Sequence, residues 1–145
     1  MPVHRRTILC LLLTTAAIDA GDGRRAAAAN AATHDVVVWR AIGSWSGRGN
    51  TQTESFTSDT GSLRVRWQTS HEVRPGDGTF RLTLHSAISG RPLVQAVDHR
   101  GVGADTSFVS EDPRVFYVVV DSARVEWSFT IDEGTGARTP GASDR

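Results

Sequence analysis

The chain contains no lysine: all 16 of its basic side chains are arginine, set against 16 acidic ones. A guanidinium-only chemistry fits bidentate recognition of carboxylate or phosphate. The plainer reading is the codon usage of a GC-rich bacterial genome, which also favours Ala, Gly, Asp and Val. Cysteine is almost absent as well. The single Cys10 lies inside an apolar run near the N-terminus, so a chain that loses this segment can form no disulfide and must be held by its packed core. No apolar stretch reaches the roughly 20 residues that span a bilayer. There is no excess of positive charge. Leaving out the residues before Ala31 gives 12 basic and 14 acidic side chains, a formal net of −2, which argues against nucleic acid as a partner.

The N-terminus carries the clearest signal. Met1-Pro2-Val3-His4-Arg5-Arg6 is short and cationic, Thr7 to Ile18 is apolar, and small residues follow, the layout of a secretory signal peptide. Arg5-Arg6 ahead of Thr7-Ile8-Leu9 resembles a twin-arginine signal and also fits an ordinary cationic n-region. Cys10 sits mid-run, where no lipobox places its cysteine. The expected organisation is a signal peptide over residues 1–20, a flexible Ala-rich spacer over 21–33, one domain over 34–132, and a disordered tail over 133–145 rich in Gly, Pro and small polar residues. The protein is expected to be exported, periplasmic or extracellular, with no stable membrane insertion after cleavage.

Between these ends the sequence alternates with period two. Leu63, Val65 and Trp67 alternate with Arg64, Arg66 and Gln68. Phe80, Leu82 and Leu84 alternate with Arg81, Thr83 and His85, and Val125, Trp127, Phe129 and Ile131 with Arg124, Glu126, Ser128 and Thr130. Such strands bury one face and wet the other. Arg114–Val120, following Pro113, is apolar on both faces and reads as a central strand. Further strands are expected at Asp35–Ile42, Thr51–Thr57, Leu93–Asp98 and Ser107–Ser110. Turns fall at Pro75-Gly76-Asp77-Gly78, Ser89-Gly90-Arg91-Pro92 and Asp121-Ser122-Ala123. The expected fold is all-β, a single antiparallel β-sandwich, jelly-roll or Ig-like, of seven to eight strands.

The order Glu54-Ser55-Phe56, Leu63-Arg64-Val65-Arg66-Trp67, Phe80-Arg81-Leu82-Thr83-Leu84, Gly101-Val102-Gly103, Val115-Phe116-Tyr117-Val118-Val119-Val120 and Val125-Glu126-Trp127-Ser128-Phe129 resembles the small secreted bacterial β-sandwiches of the pre-peptidase C-terminal type, over about residues 51–132. That resemblance implies an accessory role: binding polymers or cell surfaces, or supporting a partner's folding. The chain departs from the type in carrying no enzyme domain.

Catalytic patterns are not found. There is no Gly-x-Ser-x-Gly elbow; Gly43-Ser44-Trp45-Ser46-Gly47 has the wrong spacing. The glycine pairs Gly47-Arg48-Gly49 and Gly101-Val102-Gly103 lack a following helix. The carboxylate pairs Glu111-Asp112 and Asp132-Glu133 read as solvated turn residues, and His34, His71, His85 and His99 as surface residues rather than metal ligands. No catalytic residue, metal or cofactor is expected. Trp39, Trp67 and Trp127 read as core. Trp45 and Arg48, in a stretch read as a loop of small polar residues, are the candidate binding residues: Trp45 would stack on a sugar ring with Arg48 beside it, or else plug an open end of the fold. Arg64, Arg66, Arg81 and Arg124 would make an anionic-ligand surface if they shared a sheet, unless Glu126 and Asp132 pair with them. The expected function is a non-catalytic binding or adhesion module for a polysaccharide or extracellular protein. The alternative is a structural or accessory subunit of a periplasmic or secreted complex, which a long exposed edge strand would favour by strand addition.

Overall fold

The computed structural model describes residues 35–138; the expected signal peptide, the spacer, His34 and the last seven residues lie outside the described residues. Those described form nine strands and no helix: β1 (Asp35–Arg48), β2 (Thr51–Gln52), β3 (Phe56–Ser58), β4 (Ser62–Ser70), β5 (Thr79–Ser86), β6 (Pro92–Arg100), β7 (Gly103–Ser110), β8 (Arg114–Ala123) and β9 (Glu126–Arg138). Sheet A has the order β1-β9-β4-β7. Sheet B has the order β2-β8-β5-β6, with β3 pairing the same β8. Every pairing is antiparallel.

The alternating residues read from sequence set the inner faces. Leu63, Val65 and Trp67 of β4 face Phe129 and Ile131 of β9, while Phe80, Leu82 and Leu84 of β5 line up with Val118 and Val120 of β8, all buried in one cluster. The two sheets meet across this cluster, where the Trp67 and Trp127 rings lie 5.9 and 6.1 Å from that of Phe80. β8 is internal to sheet B, as its two apolar faces require. Gly101, at a φ of 86°, turns the chain from sheet B into sheet A, and Thr69 Oγ1 donates to the Gly101 carbonyl while accepting the Gly103 N–H.

Nine strands stand where seven or eight were expected because Thr51–Thr57 is interrupted. The Val118 N–H donates to Thr53 Oγ1 at 3.0 Å, so a side chain takes the place of a ladder carbonyl and splits the strand into β2 and β3. β1 is also longer than its alternation suggests. Its register slips between Ala41 and Gly43, leaving Ile42 as an extra residue, and pairing with β9 then continues through Arg48. The stretch read as a loop around Trp45 is therefore strand. At the other end β9 runs on to Arg138, so Glu133 to Arg138, which composition assigns to a disordered tail, pair with β1. β8 likewise continues through Asp121-Ser122-Ala123, and the reversal comes at Arg124, with a φ of 60°.

Candidate functional site

Trp45 and Arg48 lie on opposite faces of β1, because three steps along a strand reverse the side-chain direction. Trp45 turns inward, stacks on Phe129 at 5.1 Å and sends its indole N–H to the Glu54 carboxylate at 3.3 Å. It is half-buried against the core at the open edge between the sheets. Arg48 turns outward, where its Nη2 donates to Glu126 Oε1 at 3.1 Å and to the His71 carbonyl. The structure does not bring the two together.

The outer face of sheet A gathers the chemistry instead. Its registers run Ala41–Asp132–Arg64–Phe108, then Ser44–Thr130–Arg66–Thr106, then Ser46–Ser128–Gln68–Ala104, then Arg48–Glu126–Ser70. Above these, Trp39 is opposite Gly134, and a Cβ there would come within 3.2 Å of the indole, so the glycine lets the ring lie down on the sheet. Arg64 places its guanidinium carbon 4.6 Å from the Trp39 ring centre, a cation–π arrangement. The Phe108 ring lies 5.8 Å from Trp39 and is 69% exposed. Beneath, Asp132 is buried and clamps both arginines: Arg64 Nε donates to it at 3.0 Å and Arg66 Nε at 3.1 Å. A buried carboxylate needs this compensation, and it fixes two side chains that would otherwise wander.

Below the aromatic end the face is floored by short hydroxyl side chains. A shallow depression of about 390 Å³ lies over Ser44, Ser46, Ser128 and Thr130, with Arg66 and Gln68 along one side. A second, of about 460 Å³, shares Ser46 and Ser128 and ends at Arg48 and Glu126. The Arg48 hydrogen bond pulls the Glu126 carboxyl below its usual range; partial burial opposes this and His71 assists it. The charges on this face nearly cancel. What remains is a flat surface of donors and acceptors with an open aromatic ring at one end.

Ser70, His71 and Glu126 also meet here, but His71 Nδ1 alone faces both Ser70 Oγ (3.2 Å) and Glu126 Oε2 (2.9 Å). A proton relay uses the two ring nitrogens separately, and this arrangement does not. Among the described residues no three His, Cys, Asp or Glu side chains converge as a metal site would. His85 stacks on Tyr117 on sheet B, whereas His99 is half-buried with its ring 4.7 Å from Trp67, not at the surface as expected. The four arginines do not share a sheet: Arg64 and Arg66 belong to sheet A, Arg81 pairs with Asp98 on sheet B, and Arg124 pairs with Asp77 at a turn.

Asp132 and Glu133 are the largest departure from the sequence reading. Both are buried in mid-strand rather than solvated at a turn. Glu133 faces inward, paired with Arg40, and accepts from Ser58 Oγ at 2.7 Å and from the Asp59 and Thr60 N–H groups. Burial pushes its carboxyl up, but Arg40, Ser58 and the Thr60 and Asp59 N–H groups outweigh it and hold the group down at about 2. This carboxylate ties the β3–β4 connection to sheet A. Trp39 and Phe108 are the site residues the sequence reading missed; it offered Asp132 as a partner of the arginines, as found, but not as a buried one. The available signal was the pairing of Trp39 with Gly134, which requires knowing that β9 extends past Glu133.

No family model, curated protein or solved structure matches the chain.

Proposed function

We propose that the protein is an exported, non-catalytic binding module that lays a polysaccharide across the outer face of sheet A. The observation that carries this reading is the aromatic pair Trp39–Phe108, laid on the outside of the sheet beside two arginines fixed by a buried aspartate. Core packing does not account for a Phe ring that is mostly in water, and an aromatic next to clamped polar groups is how a flat polyhydroxylated ligand is gripped. From Trp39 to Arg48 the face runs eight ladder steps, about 26 Å at ~3.3 Å per step, room for several sugar units. In the same reading the two sheets are a jelly roll. With β2 and β3 counted as one interrupted strand, the orders β1-β9-β4-β7 and β2/β3-β8-β5-β6 fit eight strands wound as two Greek keys. The accessory role implied by the pre-peptidase C-terminal resemblance then becomes that of holding a polymer.

Affinity electrophoresis through gels cast with a panel of bacterial and plant polysaccharides tests the reading. At least one polymer should retard the protein, and Phe108→Ala should weaken that retardation about fivefold, the loss of roughly 1 kcal/mol of aromatic stacking. Mobility unchanged by every polymer, or retardation indifferent to Phe108→Ala, would overturn it. The second reading, an accessory subunit joined by strand addition, is favoured by one observation: among the described residues β1 is paired along one edge only.

A further inference from the structure

We infer that the first half of β1 is a self-association edge, and that two copies of this chain join sheet A to sheet A across a twofold axis through Val38. β1 ends sheet A and pairs only with β9 among the described residues, so over its 14 residues one row of backbone donors and acceptors is open. Folded proteins blunt such edges with proline, lysine, short length, bulges or inward-pointing charges. Asp35–Ala41 has no proline, lysine or bulge, its inward-pointing Arg40 is tied to Glu133, and the bulge at Ile42 lies beyond its end. Val36, Val37 and Val38 are each about half exposed, and successive valines point to opposite faces. The pairing of β4 with β9 begins at Leu63–Glu133, so Gly134 to Arg138 pair with β1 alone. The valines thus sit on a two-stranded ribbon, an arrangement of marginal stability in water until a third strand covers it.

The geometry selects the occupant. The register slip at Ile42 divides β1, leaving Asp35–Ala41 as one regular segment with Val38 at its midpoint. Two such segments overlapping fully and antiparallel place Val38 opposite Val38, Val37 opposite Trp39 and Val36 opposite Arg40. Residues directly opposite then keep the same parity, so the outer faces of the two sheets run on continuously, as sheet pairing demands. No like charges oppose each other, since Arg40 meets a valine. The patch is its own complement, which is what a twofold interface requires. The joined sheets would carry two outer faces side by side.

Sedimentation velocity of the full chain across a wide dilution range reads the association directly. A reversible dimer is expected, and Val38→Lys, which opposes two like charges on the axis, should weaken it at least about tenfold. A second variant guards against misfolding of the first. In a Cys10→Ser background, Val38→Cys should cross-link two copies on mild oxidation, because directly opposite Cα atoms in an antiparallel pair lie about 4.5–5.5 Å apart, within disulfide reach. Val73→Cys, at a still more exposed valine elsewhere, should not. A chain that stays monomeric throughout, or a dimer untouched by Val38→Lys, overturns the proposal. Cross-linking no faster at Val38 than at Val73 does so too. A monomer would leave the edge to a foreign strand or to the residues before Asp35.

Discussion

Replacing Glu133 by glutamine removes a fully buried charge while keeping nearly the same shape. In the native protein that carboxylate binds Arg40, Ser58 and the backbone of Asp59 and Thr60, and its protonation is displaced from an ordinary value of 4.5 to about 2. A displacement of this size corresponds to about 3 kcal/mol of stability. For a domain of roughly 100 residues each kcal/mol moves Tm by roughly 4–8 °C, so Glu133→Gln should lower Tm by roughly 12–24 °C near neutral pH. The folded-state value lies below the unfolded one, so the contribution is complete above about pH 5 and disappears as the pH falls through about 2. Thermal unfolding of the two proteins, followed by tryptophan fluorescence, should therefore show a wide gap at neutral pH that closes in acid. A gap of less than about 3 °C at neutral pH, or one that does not shrink on acidification, refutes the assignment of Glu133 as the anchor of the β3–β4 connection.

Gly61, at a φ of 70°, has the Glu111 carbonyl oxygen 1.8 Å from where a Cβ would stand; Gly61→Ala should cost more than about 3 kcal/mol or abolish folding, measured by urea unfolding. Phe108→Ala removes a ring that is mostly in water, so its free energy of urea unfolding should stay within about 0.5 kcal/mol of the parent even where ligand binding is lost. Trp45 is half-buried on Phe129. Comparing acrylamide quenching of the parent with that of Trp45→Phe should assign Trp45 a partly protected emission that no polysaccharide shifts.

The strands that sequence made legible are those whose inward positions are uniformly apolar: Leu63-x-Val65-x-Trp67, Phe80-x-Leu82-x-Leu84 and Val125-x-Trp127-x-Phe129-x-Ile131 all fall in the core. β1 was legible only in part. The extra residue at Ile42 reverses its phase, and two of the next three inward positions are Gly43 and Gly47. The glycines leave room for the Trp45 and Trp127 rings, whose atoms would meet an added Cβ at 2.6 and 3.1 Å. No apolar alternation survives there to be read. The same obstacle hid the end of β9, where Gly134 and Gly136 resemble a tail although Gly134 is the bed on which Trp39 lies.

The candidate site suffered in turn. Trp39 beside Val36-Val37-Val38 reads as core, yet those valines are half exposed on a ribbon of two strands and the indole is on the outside. Asp132 and Glu133 are polar neighbours near the end of an apolar run and so resemble a turn. Each is buried because its partners come from distant segments: Arg64 and Arg66 for one, Arg40 and the Ser58–Thr60 backbone for the other. The pairing of Asp132 with the strand arginines could be offered from the alternation alone, whereas the partners of Glu133 leave no local trace.

Ligand recognition on the outer face of sheet A has a direct readout. Titrating a retained polysaccharide into isotope-labelled protein and mapping the amide shifts by NMR addresses it most directly. Changes should concentrate at Trp39, Ser44, Ser46, Arg66, Phe108, Ser128 and Thr130. Shifts centred instead on the outer face of sheet B, around His85 and Tyr117, would contradict it.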